Sequence, residues 1–235
     1  MSITSLSFYV FLLSVLVLYY TAARKLRAQW VLLLAASIFF YCMSGWRTLF
    51  LVFLTAGSCW GAGLGLQSLD QRLAAYRGAG HSREEKKHFR MRTDRRKRGL
   101  LAAALLFNFG ILALLKYWRP GGGGLLLPLG ISFYTFQAAG YVIDLYYGKY
   151  EAERNPLHFL LFLTFFPQLI QGPINRYDKL RGTLLGEHAF SWDRTRRALL
   201  LIGFGLLKKF AVADLLAPPI AAVLDGDVSA SSGAL

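Results

Sequence analysis

Apolar positions in this chain come in long uncharged runs rather than at the spacing of a half-buried helix or strand. A helix of about 20 residues, at 1.5 Å each, crosses a hydrocarbon core of about 30 Å. The first such run covers residues 5–23 and the second 29–43. A third covers 47–66, with Gly45 and Trp46 as a short turn before it. A strongly polar stretch, 67–98, follows. A fourth run covers 99–118 and a fifth 125–147. Between them Arg119, Pro120 and the glycines Gly121 to Gly124 break regular structure. The next apolar stretch, 157–170, is too short for a full crossing and ends among Pro167, Gly172 and Pro173. A last one spans 198–224 and carries Lys208 and Lys209 inside it. The pattern predicts an all-α, polytopic transmembrane helical bundle.

Charge supplies the sidedness. Of the 235 residues 55% are hydrophobic and 17% charged, where a soluble domain has about 25% charged. From 67 to 98 eleven Lys or Arg stand against four Asp or Glu, half of the chain's net +14. A basic chain raises nucleic acid as a partner, but these cations sit between two apolar runs. That is the signature of a cytosolic loop, able to lie against anionic headgroups. Nucleic acid is therefore excluded as a partner. Arg24, Lys25 and Arg27 after the first run place the N-terminus outside, the reverse of a secretory signal. The same bias keeps Arg176, Lys179 and Arg181 inside. The stretch 157–170 is accordingly expected to be a re-entrant segment that leaves and returns on the cytosolic side. Irregular backbone at that depth must be covered by protein or line a cavity. The chain is expected to lie in the cell membrane as part of one membrane-embedded domain, residues 1–235, with the bilayer as its first partner.

Polar side chains at membrane depth are costly and so are candidates for function. They are Asn108, Gln137, Asp144, Gln168, Gln171, Lys208, Lys209 and Asp214. Bland roles compete: Asp144 at a helix end, the lysines reaching for the interface or pairing with Asp214. Cys42 and Cys59 read as small buried hydrophobes. None of His81, His88, His158 and His188 lies within a long run, no metal-ligand spacing occurs, and no catalytic base is evident. Gly57, Gly61 and Gly65 form a small-residue stripe that invites a close helix neighbour. Ser82 with Glu85 forms a capping box.

Three blocks are more specific. The first is Pro128-Leu-Gly130-Ile-Ser-Phe-Tyr-Thr-Phe-Gln137, continued by Tyr141-Val-Ile-Asp144-Leu-Tyr-Tyr-Gly148. The second is Phe165-Phe-Pro167-Gln168-Leu-Ile-Gln-Gly172-Pro173-Ile-Asn-Arg176-Tyr. The third is Gly205-Leu-Leu-Lys208-Lys209-Phe-Ala-Val-Ala-Asp214. In this order they resemble the membrane-bound O-acyltransferase family, in the bacterial branch of alginate O-acetylation and teichoic acid D-alanylation.

The resemblance implies an enzyme that moves an acyl group, acetyl by preference, to a hydroxyl of an extracytoplasmic polysaccharide or cell-wall polymer. The donor is a cytosolic thioester, acetyl-CoA or an acyl carrier, and no cofactor is bound. A secreted acyltransferase is an implied partner. Gln137, Asp144, Pro167, Gln168, Gly172, Pro173 and Arg176 would shape the substrate tunnel, along with Pro128 and Gly130. The family's histidine lies in a Trp-His-Gly motif that this sequence does not contain, so no catalytic residue is assigned. The chain is expected to be an N-terminal portion, inactive alone. The competing class, a transporter or channel subunit, calls for paired broken helices in two repeats, and only one broken segment is readable.

Overall fold

The uncharged N-terminal run folds as α1 (Leu6–Tyr20), continued by the short α2 (Ala22–Lys25). The computed structural model describes residues 6–25, 27–117, 130–169 and 174–224, without the side chains at 44–48, 169 and 221–224. Residues 6–188 belong to one unit and 189–224 to another.

In the first unit, α3 (Gln29–Gly78) and α4 (Arg83–Tyr117) are followed by α5 (Ile131–Tyr146), α6 (Pro156–Thr164), α7 (Phe166–Leu169) and α8 (Tyr177–Leu185). Helical hydrogen bonding in α3 continues through residues 44–48, but the element is not straight. A straight run from Trp30 to Trp60 would cover about 45 Å. Yet the Trp30 ring lies 4.7 Å from that of His158, whose Nδ1 is 3.4 Å from Glu153 Oε1. The Glu153 carbonyl in turn accepts from Trp60 Nε1 at 2.8 Å. The two tryptophans thus sit at one level, and the chain doubles back between Met43 and Leu49. Gln29–Met43 and Leu49–Gly78 are separate apolar arms, as the sequence expects.

The remaining contacts order the bundle. Ser58 bonds Asn108 and Lys97 bonds Asp70, so α4 runs antiparallel to the second arm of α3. Phe8 packs on Phe40 and Tyr19 contacts His188, so α1 runs antiparallel to the first arm. Among the described residues three helices are long and apolar enough to cross a membrane: Leu6–Lys25, Leu49–Gly78 and Arg83–Tyr117. The core lies between α3, α5 and α6, around Tyr41, Val52, Tyr134, Tyr141, Phe159 and Phe162.

The basic stretch 67–98 is largely helical rather than a loop. It is the end of α3, a turn at residues 79–82, and the start of α4. The capping box forms, with the Ser82 N–H donating to Glu85 Oε2 at 2.9 Å. Tyr76 stacks between His81 and Phe89, each at 4.1 Å. The 35 residues of α4 reach about 50 Å, so its charged half projects past the hydrocarbon.

Of the expected fifth span, 125–147, the described part contains α5, whose 16 residues are too few to count among the crossing helices; its first residues, Pro128 included, lie outside the described ones, as do Gly121 to Gly124. Two glycines at the ends of α5 adopt φ of 70°, Gly130 before it and Gly148 after it, where a side chain would be strained. The Gly148 and Lys149 N–H groups return to the carbonyls of Leu145 and Asp144, closing the helix end. Asn155 caps α6 by accepting from the Leu157 N–H at 2.9 Å, with Pro156 at the first helical position.

The glycine stripe behaves otherwise than expected. Added Cβ atoms at Gly57 and Gly61 would meet nothing within 4 Å, whereas at Gly65 one would meet Leu100 at 2.8 Å. An equally close approach falls off the stripe, at Gly63 against Leu145 and Tyr141. Which neighbour comes to each position, α5 at Gly63 and α4 at Gly65, decides which glycine is crowded.

The second unit contains α9 (Trp192–Lys208), a π-helical turn (Lys209–Ala213) and α10 (Asp214–Leu224), with Pro218 and Pro219 inside α10. None of its described side chains is buried, Phe204, Leu207 and Phe210 included.

Candidate functional site

Two polar foci stand out in the first unit. One lies inside the bundle, where α6 stops. Phe165 takes an extended ψ of 104°, and α7 resumes one residue later. A broken helix leaves carbonyls and N–H groups without helical partners, which in hydrocarbon costs several kcal/mol each. Neighbouring side chains meet that need. Gln137 Nε2 donates to the Phe162 carbonyl at 3.0 Å. Ser37 Oγ accepts the Phe166 N–H at 3.2 Å and donates to Leu33. The Thr164 hydroxyl bonds the Leu160 carbonyl at 2.8 Å. Gln137, Ser37 and Thr164 are all buried. Ser37 lies about 12 Å along α3 from Gln29, well inside the bundle.

Tyr177, the first residue of α8, packs 5.0 Å from both Tyr141 and Phe162. Its hydroxyl donates to Glu153 Oε2, in the loop before α6.

The second focus is Glu153 itself, a residue missed by the sequence reading. Its carboxylate also faces Arg181 Nε at 3.1 Å and His158 Nδ1 at 3.4 Å, and accepts the Asn155 N–H at 3.0 Å. Its own N–H donates to Tyr141 Oη at 2.9 Å. One residue thus joins α3, α5, α6 and α8. Burial disfavours its charge, but the Tyr177 and Asn155 hydrogen bonds, Arg181 and His158 outweigh that and hold the carboxyl below its usual range. Burial, together with the hydrogen bond to Glu153, pushes the Tyr177 phenol well above its usual value. Nothing in Glu151-Ala-Glu153-Arg154 sets it apart from a solvated loop. The Asn155-Pro156 helix start beside it was the one available signal.

The sequence candidates divide between these foci. Gln137 belongs to the helix break, as do Pro167 and Gln168 in α7. Pro167 lines an apolar cleft of about 260 Å³ with Leu12, Tyr19 and His188. The Gln168 N–H donates to the Phe165 carbonyl at 3.0 Å. Asp144 is buried at the loop end of α5, bonded by Lys149 and 3.9 Å from Arg176 Nε. It stands seven positions from Gln137, about 10 Å along the helix, and does not join the helix break. Gly172, Pro173 and Gln171 lie outside the described residues. Asn108 is helix glue, bonding Ser58 at 3.0 Å and the Ala104 carbonyl at 2.8 Å. Lys208 and Lys209 lie over the rings of Phe204 and Phe210 rather than pairing with Asp214.

Long apolar helices around a protein-covered helix break define a multi-pass membrane protein. Comparison with known sequences narrows the class. The chain is 31% identical to a probable alginate O-acetylase of Pseudomonas fluorescens, over 89% of this chain and 38% of that protein. A peptidoglycan O-acetyltransferase of Helicobacter pylori is 28% identical over half of the chain. A teichoic acid D-alanyltransferase of Lacticaseibacillus rhamnosus is 40% identical over 24% of it. The chain belongs to the membrane-bound O-acyltransferase family. It spans about two fifths of the length of the alginate O-acetylases it matches. No family model and no solved structure matches it.

Proposed function

We propose that this chain is part of a membrane O-acyltransferase that carries an acyl group, acetyl by preference, across the bundle. The donor is a thioester at the inner face, acetyl-CoA or an acyl carrier, with no resident cofactor. The acceptor is a hydroxyl of an extracytoplasmic polysaccharide or cell-wall polymer, reached directly or through a secreted acyltransferase. The N-terminus lies outside and the basic helical hairpin inside, as the excess of cations demands. The stretch 157–170 is re-entrant in this reading. The observation that carries this reading is the helix break at Phe165, wrapped by Ser37 and Gln137, in a chain homologous to O-acetylation proteins.

A hydroxyl is a weak nucleophile until a placed base takes its proton. A dry passage also keeps water from the thioester. In this reading Gln137, Pro167, Gln168, Gly172 and Pro173 shape the passage, and Asp144 with Arg176 braces its inner mouth. The base is not supplied by these 235 residues, which alone transfer nothing. Mass spectrometry of secreted and cell-wall glycans, with and without the intact gene, tests the function. Loss of O-acetyl esters on deletion supports it; an unchanged ester content rejects it. Acetyl transfer by the purified 235-residue chain would overturn the inactivity of this portion.

A further inference from the structure

Beside the helix break, two buried phenols have nothing to bond. Tyr41 of α3 and Tyr134 of α5 are 0% and 1% exposed. Neither hydroxyl has a hydrogen-bond partner. They share one core cluster. Buried hydroxyls are almost always bonded, because an unmet one loses its water without compensation. Two adjacent exceptions need a cause.

Their positions supply it. Tyr41 lies one turn beyond Ser37 on α3, and Tyr134 one turn before Gln137 on α5, with these two arms running in opposite senses. Residues three and four apart share a helix face. The four side chains therefore make two polar tiers on facing helices. The tier of Ser37 and Gln137 grips the broken backbone of α6. The tier of Tyr41 and Tyr134 grips no protein group. The buried carboxylates among the described residues, Asp144 and Glu153, belong to the other focus; Asp144 stands ten positions, about 15 Å, along α5 from Tyr134. Such a place suits a neutral ligand and rejects a charged one.

We infer that Tyr41 and Tyr134 are an internal binding site for an uncharged acyl carbonyl, whose oxygen accepts their hydroxyl hydrogens. The inference rests on the acyl-transfer reading above and adds the residues that hold the carbonyl. An ordered water offers the same acceptor chemistry, and the experiment separates the two.

The test uses Tyr41→Phe, Tyr134→Phe and the double variant in detergent. The probe is S-acetyl-N-acetylcysteamine labelled with carbon-13 at the thioester carbonyl. The native protein is expected to move part of the carbonyl infrared band to lower wavenumber, and the double variant to leave it unmoved. Because phenylalanine keeps the ring and deletes only an unbonded hydroxyl, the variants are expected to melt at or above the native temperature. Identical carbonyl bands in native and double variant overturn the site. So does a melting point several degrees lower in both single variants, which would mean that a structural water is bonded there. In the intact enzyme the double variant is expected to transfer acetyl about tenfold more slowly. If the native enzyme transfers nothing yet the band still moves, the functional reading fails and the site stands.

Discussion

Tyr177 donates its hydroxyl hydrogen to Glu153, so the residue that begins α8 is tied to the loop that precedes α6. Without the carboxylate, Tyr177, the Asn155 N–H and Arg181 would all lose a partner. Glu153→Ala is expected to lower stability by about 2–3 kcal/mol, and Glu153→Gln by less, since an amide oxygen can still accept. Thermal unfolding in detergent reads both. Equal melting points for native protein and Glu153→Ala would show the network to be incidental.

Acid should expose the same network. The Glu153 carboxyl is held below its ordinary 4.5. A depressed carboxyl contributes stability that is full above the unfolded value and lost as pH falls through the folded one. Melting temperature is expected to drop below about pH 4.5, and the drop should be shallower in Glu153→Gln. At the alkaline end Tyr177 is raised above its ordinary 10. Its contribution is full below that value and lost as pH rises past it. A Tyr177→Phe melting profile that is as steep above pH 10 as the native one would contradict this.

Crowding separates two glycines of α3. A Cβ at Gly63 would come within 2.8 Å of Leu145 and 3.0 Å of Tyr141, while one at Gly61 meets open space. Gly63→Ala is expected to cost about 1–3 kcal/mol through overpacking. Gly61→Ala should be neutral or stabilising by up to about 1 kcal/mol, as alanine favours helix. Melting curves of the pair give the answer, and reversal of their order would refute the packing of α3 on α5.

Sidedness is open to chemical labelling. Gly80, exposed in the turn between α3 and α4, has room for a side chain. In a Cys42→Ser background, Gly80→Cys is expected to react with a membrane-impermeant maleimide in inverted vesicles and not in intact cells. Reaction in intact cells would invert the proposed topology.

The spans were readable because hydrocarbon demands long uncharged runs, a signal carried by each residue separately. The turn at Gly45 followed from run length alone, although helical hydrogen bonding hides it in the backbone. What escaped was cooperative. Glu153 looks like any loop acid until Trp60, Tyr141, Tyr177 and Arg181 are brought around it from distant positions. Tyr41 and Tyr134 read as ordinary apolar-run aromatics, because a missing partner leaves no trace in sequence. Gln137 was legible, since an amide amid apolar residues is conspicuous, but its use at a broken helix end was not. The glycine stripe misled because residue spacing names a helix face without saying which neighbour comes to it.

One glutamate shared by four elements, its carboxylate by α6 and α8, also limits how the protein can breathe. The 149–155 loop, the start of α6 and the whole of α8 have no cheap way to loosen one at a time, since freeing any of them strands a charge. Amide protons across these segments should therefore exchange with solvent through one concerted opening, at a common rate, rather than fraying inward from α8.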